Sequence, residues 1–115
     1  MKRESTPQKT GALVQGTLDM LVLRVLALEP MHGYGITQRI EQVSRQTFQV
    51  QPGSLFPAFR RLEREGLVTS EWRATENNRR AKYYRITESG RRRLKTETRD
   101  WQRQTLAIAR ILAGS

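Results

Sequence analysis

The stretch from Ser54 to Gly66 constrains the fold more than any other part of the chain. Leu55, Phe59 and Leu62 recur at i, i+4 and i+7, so one face of a helix is apolar, while Arg60, Arg61 and Arg64 share the other. Ser54 stands where a hydroxyl can cap that helix, and Gly66 stands where a left-handed terminator belongs. Two segments rich in β-branched and aromatic residues follow, Leu67 to Thr75 and Lys82 to Thr87, joined by the polar run Glu76 to Ala81. That pattern predicts a β-hairpin with a long basic tip. A helix so patterned, leading straight into a hairpin, must bury its apolar side on elements that precede it.

Two helices are available to do so. Gly16 to Leu28 reads as the first, with Thr17 as its cap and Asp19 near the positive end of its dipole. Leu18, Leu21, Val22, Val25 and Leu28 form one face, and Met20, Leu23, Leu26 and Ala27 carry apolarity round the rest. A helix apolar nearly all round is buried on more than one side, and in so short a chain a second subunit is the expected cover. Glu29-Pro30 stops it, Met31-His32-Gly33 makes a turn in which His32 has no chemical role, and a second helix runs from about Gly33 to Ser44. Ile36, Ile40 and Val43 are spaced to face the core, and Tyr34 is placed to pack the second helix onto the third. Phe48 to Gln51 is a short extended piece ending at the turn dipeptide Pro52-Gly53. Trp72 is expected to pack in the core or on the hairpin, with Tyr84 and Ile86 beside it on the same sheet face.

Thr87 caps a last helix running to about Ala113. Leu94, Thr98, Trp101, Thr105, Ile108 and Leu112 follow it at alternating spacings of four and three, a heptad-like seam. The expected architecture is mainly α with a two-stranded β wing: a winged helix-turn-helix followed by a C-terminal dimerisation helix. Its parts are a basic arm over residues 1–12, a winged-helix domain over 13–90 and the dimerisation helix over 91–115. The dimer interface is expected at Leu18, Met20, Leu94, Trp101, Ile108 and Leu112.

Composition narrows the function classes. The chain has 115 residues with 21 Lys and Arg against 11 Asp and Glu, a net charge of +10. Such an excess points to a polyanionic partner, with nucleic acid ahead of an anionic membrane. There is no cysteine and one histidine, His32. Thiolate metal sites and cysteine nucleophiles are therefore excluded, and imidazole-based catalysis nearly so. No paired carboxylates or phosphate loop appear, so neither an enzyme nor a cofactor is expected. The longest apolar run, from Met20 towards Leu28, is broken by Arg24 and is too short to cross a membrane. No secretory h-region is visible near the N-terminus, and a cytoplasmic location is expected.

The order helix, helix, helix, hairpin suits duplex DNA. An α-helix fits the major groove, where each base pair displays its own donor and acceptor pattern. Ser54, Phe56 and Pro57 at the start of the third helix, with Arg60, Arg61 and Arg64 on its outer face, are the candidate contacts. Arg79, Arg80 and Lys82 at the hairpin tip would reach the adjoining backbone or minor groove. Taken singly, an arginine face containing Glu63 and Glu65, or two arginines at a tip, describes a solvated surface. Order and charge together favour the DNA reading. Two other classes stay open. A non-specific basic nucleic-acid binder, architectural or RNA-directed, would use the arginines as phosphate clamps, and a protein-docking module would bind its partner even at high salt.

Several strings resemble one family. Gly33-Tyr34-Gly35-Ile36 after a leucine-rich first helix is one; Ser54-Leu55-Phe56-Pro57-Ala58-Phe59-Arg60-Arg61-Leu62-Glu63-Arg64-Glu65-Gly66-Leu67-Val68 is another. With Lys82-Tyr83-Tyr84-Arg85-Ile86-Thr87-Glu88-Ser89-Gly90 they are similar to the PadR family of bacterial transcriptional regulators, in its compact subgroup with a single C-terminal helix. The resemblance spans roughly Gly16 to Gly90. It implies a repressor that binds an inverted-repeat operator as a homodimer and is released by a small effector. In some members aromatic ligands enter between the subunits, which makes Trp101 the candidate effector-pocket residue. Two departures stand out: Phe56 where the family often has tyrosine, which removes a hydroxyl that could meet a phosphate, and Asn77-Asn78 where the wing tip is often glycine-rich.

Overall fold

The computed structural model describes the backbone of residues 7–114 and the side chains of residues 16–114. The chain runs α1 (Pro7–Leu26), β1 (Met31–His32), α2 (Gly33–Val43), α3 (Pro52–Arg64), β2 (Val68–Ala74), β3 (Arg80–Ile86) and α4 (Glu88–Leu112). This is the expected winged helix-turn-helix with a long C-terminal helix. Among the described residues, no helix is long and apolar enough to cross a membrane.

The first helix differs from the sequence reading at both its start and its cover. Residues 1–6 of the expected arm lie outside the described residues, and residues 7–12 belong to α1. Thr17 and Asp19 therefore sit inside the helix and not at its cap. Pro7 suits a first helical position, since its missing N–H has no partner to lose there, and the next proline is Pro30. Among the described residues, α1 is covered within the protomer by α2, α3, α4 and β3, which all pack on it, while Leu28 past its end is exposed. Leu18, Val22, Leu23, Val25 and Leu26 form the centre of the core with Ile36, Ile40, Leu55, Phe59 and Leu62. Leu18 and Met20, 3% and 9% exposed, are not available to a partner subunit.

Met31 and His32, expected as a turn, form a short strand that adds to the hairpin. The sheet has three antiparallel strands in the order β1-β3-β2, with Met31 opposite Tyr84 and Ser70 opposite Tyr84 from the other side. His32 also caps α2, its Nδ1 accepting a hydrogen bond from the Gly35 backbone N–H at 3.0 Å. Val43 is exposed and so lies off the core face that Ile36 and Ile40 occupy. Tyr34 is exposed as well, its hydroxyl accepting from Gln38 Nε2, and α2 instead meets α3 at Gly33, where a Cβ would touch the Phe59 ring at 3.4 Å.

Helix α3 opens at Pro52 with Gln51 as its N-cap residue, so Pro52-Gly53 starts the helix instead of turning before it. Ser54 falls in the first turn, its backbone N–H bonded to the Gln51 carbonyl, and does not cap. The other end matches expectation. Gly66 has φ +74°, its N–H donates to the Glu63 carbonyl, and the Leu67 N–H donates to the Leu62 carbonyl at 2.8 Å. That pair of bonds is a Schellman ending, and buried Leu62 and Leu67 accompany it.

Phe59 stacks on Tyr84 with ring centroids 3.9 Å apart, which clamps α3 to the sheet. Trp72 shares the sheet face of Tyr84 and Ile86 but is 58% exposed, because the packed helices end beneath Tyr84 and the hairpin continues beyond them. Thr87 Oγ1 accepts from the Gly90 N–H at 3.0 Å and donates to the Gly66 carbonyl at 2.8 Å. One hydroxyl thus caps α4 and ties its start to the end of α3. From Trp101 onwards the described side chains of α4 are exposed, so the helix projects past the body.

Candidate nucleic-acid interface

Position along α3 decides what each of its side chains can do. Leu55, Ala58, Phe59 and Leu62 point into the core. Opposite them Phe56, Arg60 and Arg64 stand exposed, with Ser54 exposed in the first turn and Pro57 half-buried beside it. Among the described residues, no carboxylate forms an ion pair with Arg60 or Arg64. Arg61 is different. It lies on the flank of α3 facing α1, where its Nη2 and Nε donate to the two carboxylate oxygens of Asp19 at 2.7 and 3.1 Å. The hydrogen bond to Asp19 holds the Arg61 guanidinium above its usual pKa. Arg61 is thereby separated from the outer face on which the sequence places it, and Asp19 is its anchor rather than a dipole partner. We expect Asp19→Ala to cost about 1 kcal/mol, since it strands a half-buried guanidinium, and chemical denaturation would measure it.

Glu63 ties the wing to the same helix. Its Oε2 accepts from the Ser70 hydroxyl at 2.7 Å, and its Oε1 lies 3.9 Å from Lys82 Nζ. Lys82 is half-buried above the Tyr84 ring. The tip of the hairpin spans residues 75–79. Asn78 adopts φ +61°, the Thr75 N–H donates to the Arg79 carbonyl at 2.6 Å, and the Arg79 N–H donates to Thr75 Oγ1. Arg79 and Arg80 are exposed, and the Arg80 guanidinium lies 5.7 Å from the centre of the Trp72 ring. The expected cationic residues therefore sit on two linked elements, α3 and the wing, with Arg61 alone turned towards α1. Among the described residues no group of three or more acidic or histidine side chains is placed to hold a metal.

Asp19, Glu63 and Trp72 are the site residues that the sequence reading misses or misplaces. The first two act over 42 and 7 residues through pairs that carry no local pattern.

The α4 seam divides in two. Leu94 packs against the core. Trp101, Ile108 and Leu112 follow it on the same side of the helix but are exposed. Trp101 borders an open groove between α1 and α4, lined also by Gly16, Met20, Glu97, Asp100 and Gln104. Burial raises the Glu97 carboxyl above its usual range; Arg93 opposes this, and Asp19, Glu65 and Asp100 add to it.

Comparison with known proteins agrees with this geometry. The family model described as the transcriptional regulator PadR-like family matches residues 22–96, from α1 into the first part of α4. The chain is 37% identical over 78 residues to transcriptional regulator Rv3488 of Mycobacterium tuberculosis, covering 68% of this chain and 69% of the relative. A solved transcriptional regulator from Clostridium thermocellum superposes with TM-score 0.79 at 27% identity, covering 86% of this chain and 96% of that one. A PadR family transcriptional regulator from Eggerthella lenta superposes with TM-score 0.76 at 31% identity, covering 94% and 92%.

Proposed function

The chain belongs to the PadR-like family of transcriptional regulators, and we propose that it is a sequence-specific DNA-binding repressor, acting in the cytoplasm as a homodimer on an inverted-repeat operator. It is a regulator and not an enzyme. The observation that carries the DNA reading is the exposed pair Arg60 and Arg64 on the outer face of a helix whose opposite face is locked into the core. That helix lies in the major groove, where an arginine fork matches guanine O6 and N7. Ser54 and Pro57, at the positive end of α3, lie near a phosphate. Arg79, Arg80 and Lys82 of the wing hold the adjoining backbone or minor groove. Arg61 holds α3 at its angle to α1 and takes no part in base reading.

The exposed side of α4 supplies the dimer contact through Trp101, Ile108 and Leu112. Two-fold symmetry then sets the half-sites about one helical turn of DNA, or a multiple, apart. A small aromatic effector binding beside Trp101 would alter the spacing of the two recognition helices and so release the operator.

Gel-shift competition at fixed salt, using the DNA upstream of the gene, tests the reading. A specific site should outcompete random duplex by about 10³-fold or more, whereas equal competition would mean a non-specific binder. Base-reading and phosphate-binding residues separate on mutation. Arg60→Ala and Arg64→Ala should each lose about 1–3 kcal/mol on the specific site and relax the preference there. Arg79→Ala should weaken all sequences alike and make the log–log salt dependence shallower by about 0.9 for each phosphate that the protein no longer neutralises. Failure to shift any duplex, with a protein partner held even at high salt, would point to the docking module instead.

A further inference from the structure

Phe56 is a large apolar side chain on the one face of α3 that is otherwise cationic or polar. It is 54% exposed, four residues before Arg60 and therefore on the same side of the helix. Its ring meets Phe59 edge-on, with centroids 6.4 Å apart at 60°. Phe59 is itself buried and stacked on Tyr84, so the inner edge of Phe56 rests on a fixed platform while its outer edge faces solvent. The ring is thus held outwards, at a cost in exposed apolar surface, on the surface that carries Arg60 and Arg64.

A phenylalanine ring offers neither donor nor acceptor, so it cannot bond a phosphate oxygen or the polar edge of a base. The major groove presents one apolar group, the C5-methyl of thymine. We propose that Phe56 reads thymine methyl groups, so that each half-site of the operator carries a thymine within about one or two base pairs of the base that Arg60 contacts. The inference rests on α3 lying in the major groove, as argued above. It adds a specificity-determining residue that works by apolar contact, beside arginines that work by hydrogen bonding.

Deoxyuridine differs from thymidine only by that methyl, which makes it the discriminating probe. A duplex selected by the full-length protein from a randomised pool would be resynthesised with each thymine replaced in turn, and affinities read by fluorescence anisotropy at fixed salt. For the wild type, one position per half-site should lose about fourfold per methyl removed. Phe56→Ala should bind the parent duplex more weakly and show a ratio of about one at that position. Phe56→Leu, which keeps an apolar surface, should retain part of the sensitivity, and matching melting curves for the variants would show that folding is unchanged. Tolerance of deoxyuridine at every position, or an undiminished methyl effect in Phe56→Ala, would overturn the assignment while leaving the groove reading intact. Failure of the pool to yield any enriched sequence would take both down.

Discussion

Replacing Gly90 by alanine is expected to destabilise the fold strongly, although the same change in an ordinary helix adds about 1 kcal/mol. The reason is the seat of α4. A Cβ on Gly90 would run into the Leu67 carbonyl oxygen and lie 2.7 Å from Ile86 Cγ1. Neither neighbour can yield cheaply. The Leu67 carbonyl accepts the Thr87 N–H at 3.0 Å, and Ile86 is buried in the core beside Tyr84. Relief would require α4 to lift off the end of α3, breaking the hydrogen bond that the Thr87 hydroxyl donates to the Gly66 carbonyl. We expect a loss of about 3 kcal/mol or more, read as a lower urea midpoint with an unchanged slope. On a domain of this size the melting temperature would fall by more than about 10 °C. Gly53→Ala is the control: nothing lies within 4 Å of its Cβ, and it should be neutral or mildly stabilising. A Gly90→Ala protein as stable as the wild type would mean that α4 does not pack on the Gly66–Leu67 corner.

The same corner shows which signals a sequence can carry. Gly66 and Thr87 are legible because each satisfies a local requirement, a left-handed residue after a helix and a hydroxyl before one. The apolar face of α3 and the paired strands are legible because their periods are local too. The start of α3 is ambiguous for a related reason. Pro52-Gly53 fits a turn as well as a helix opening, and the burial of Leu55 in the core near Gly33 belongs to the helical opening. Tertiary facts lie further out of reach. Trp72 has the composition of a core residue, but the core ends one residue pair short of it. Arg61 is indistinguishable from Arg60 and Arg64 until α1 brings Asp19 alongside. The candidate interface is therefore readable as a set of cations, though not as a division between those that anchor and those that stay free.

That division also bears on oligomeric state, and the strongest functional effect should come from there. Ile108→Glu combined with Leu112→Glu is expected to leave each protomer folded and to abolish tight operator binding. Both side chains are exposed in the protomer, at 54% and 80%, so charging them removes little intramolecular packing. In a paired molecule they would lie in the seam, where two carboxylates per helix meet their symmetry mates at a desolvation and repulsion cost that a surface helix cannot offset. Light scattering should then give the mass of one chain, and circular dichroism should give an undiminished helix signal. Each recognition helix would bind its half-site alone. The affinity for the full operator would fall by about 10²–10⁴-fold, the advantage that joining two modules confers, and the salt dependence would drop to about half because half as many phosphates are neutralised at once. Leu94, which packs into the protomer core, predicts the opposite pattern: Leu94→Ala should lower the melting temperature first and touch the dimer only through the position of α4. A doubly charged protein that still runs as a dimer would place the contact elsewhere than on the exposed side of α4.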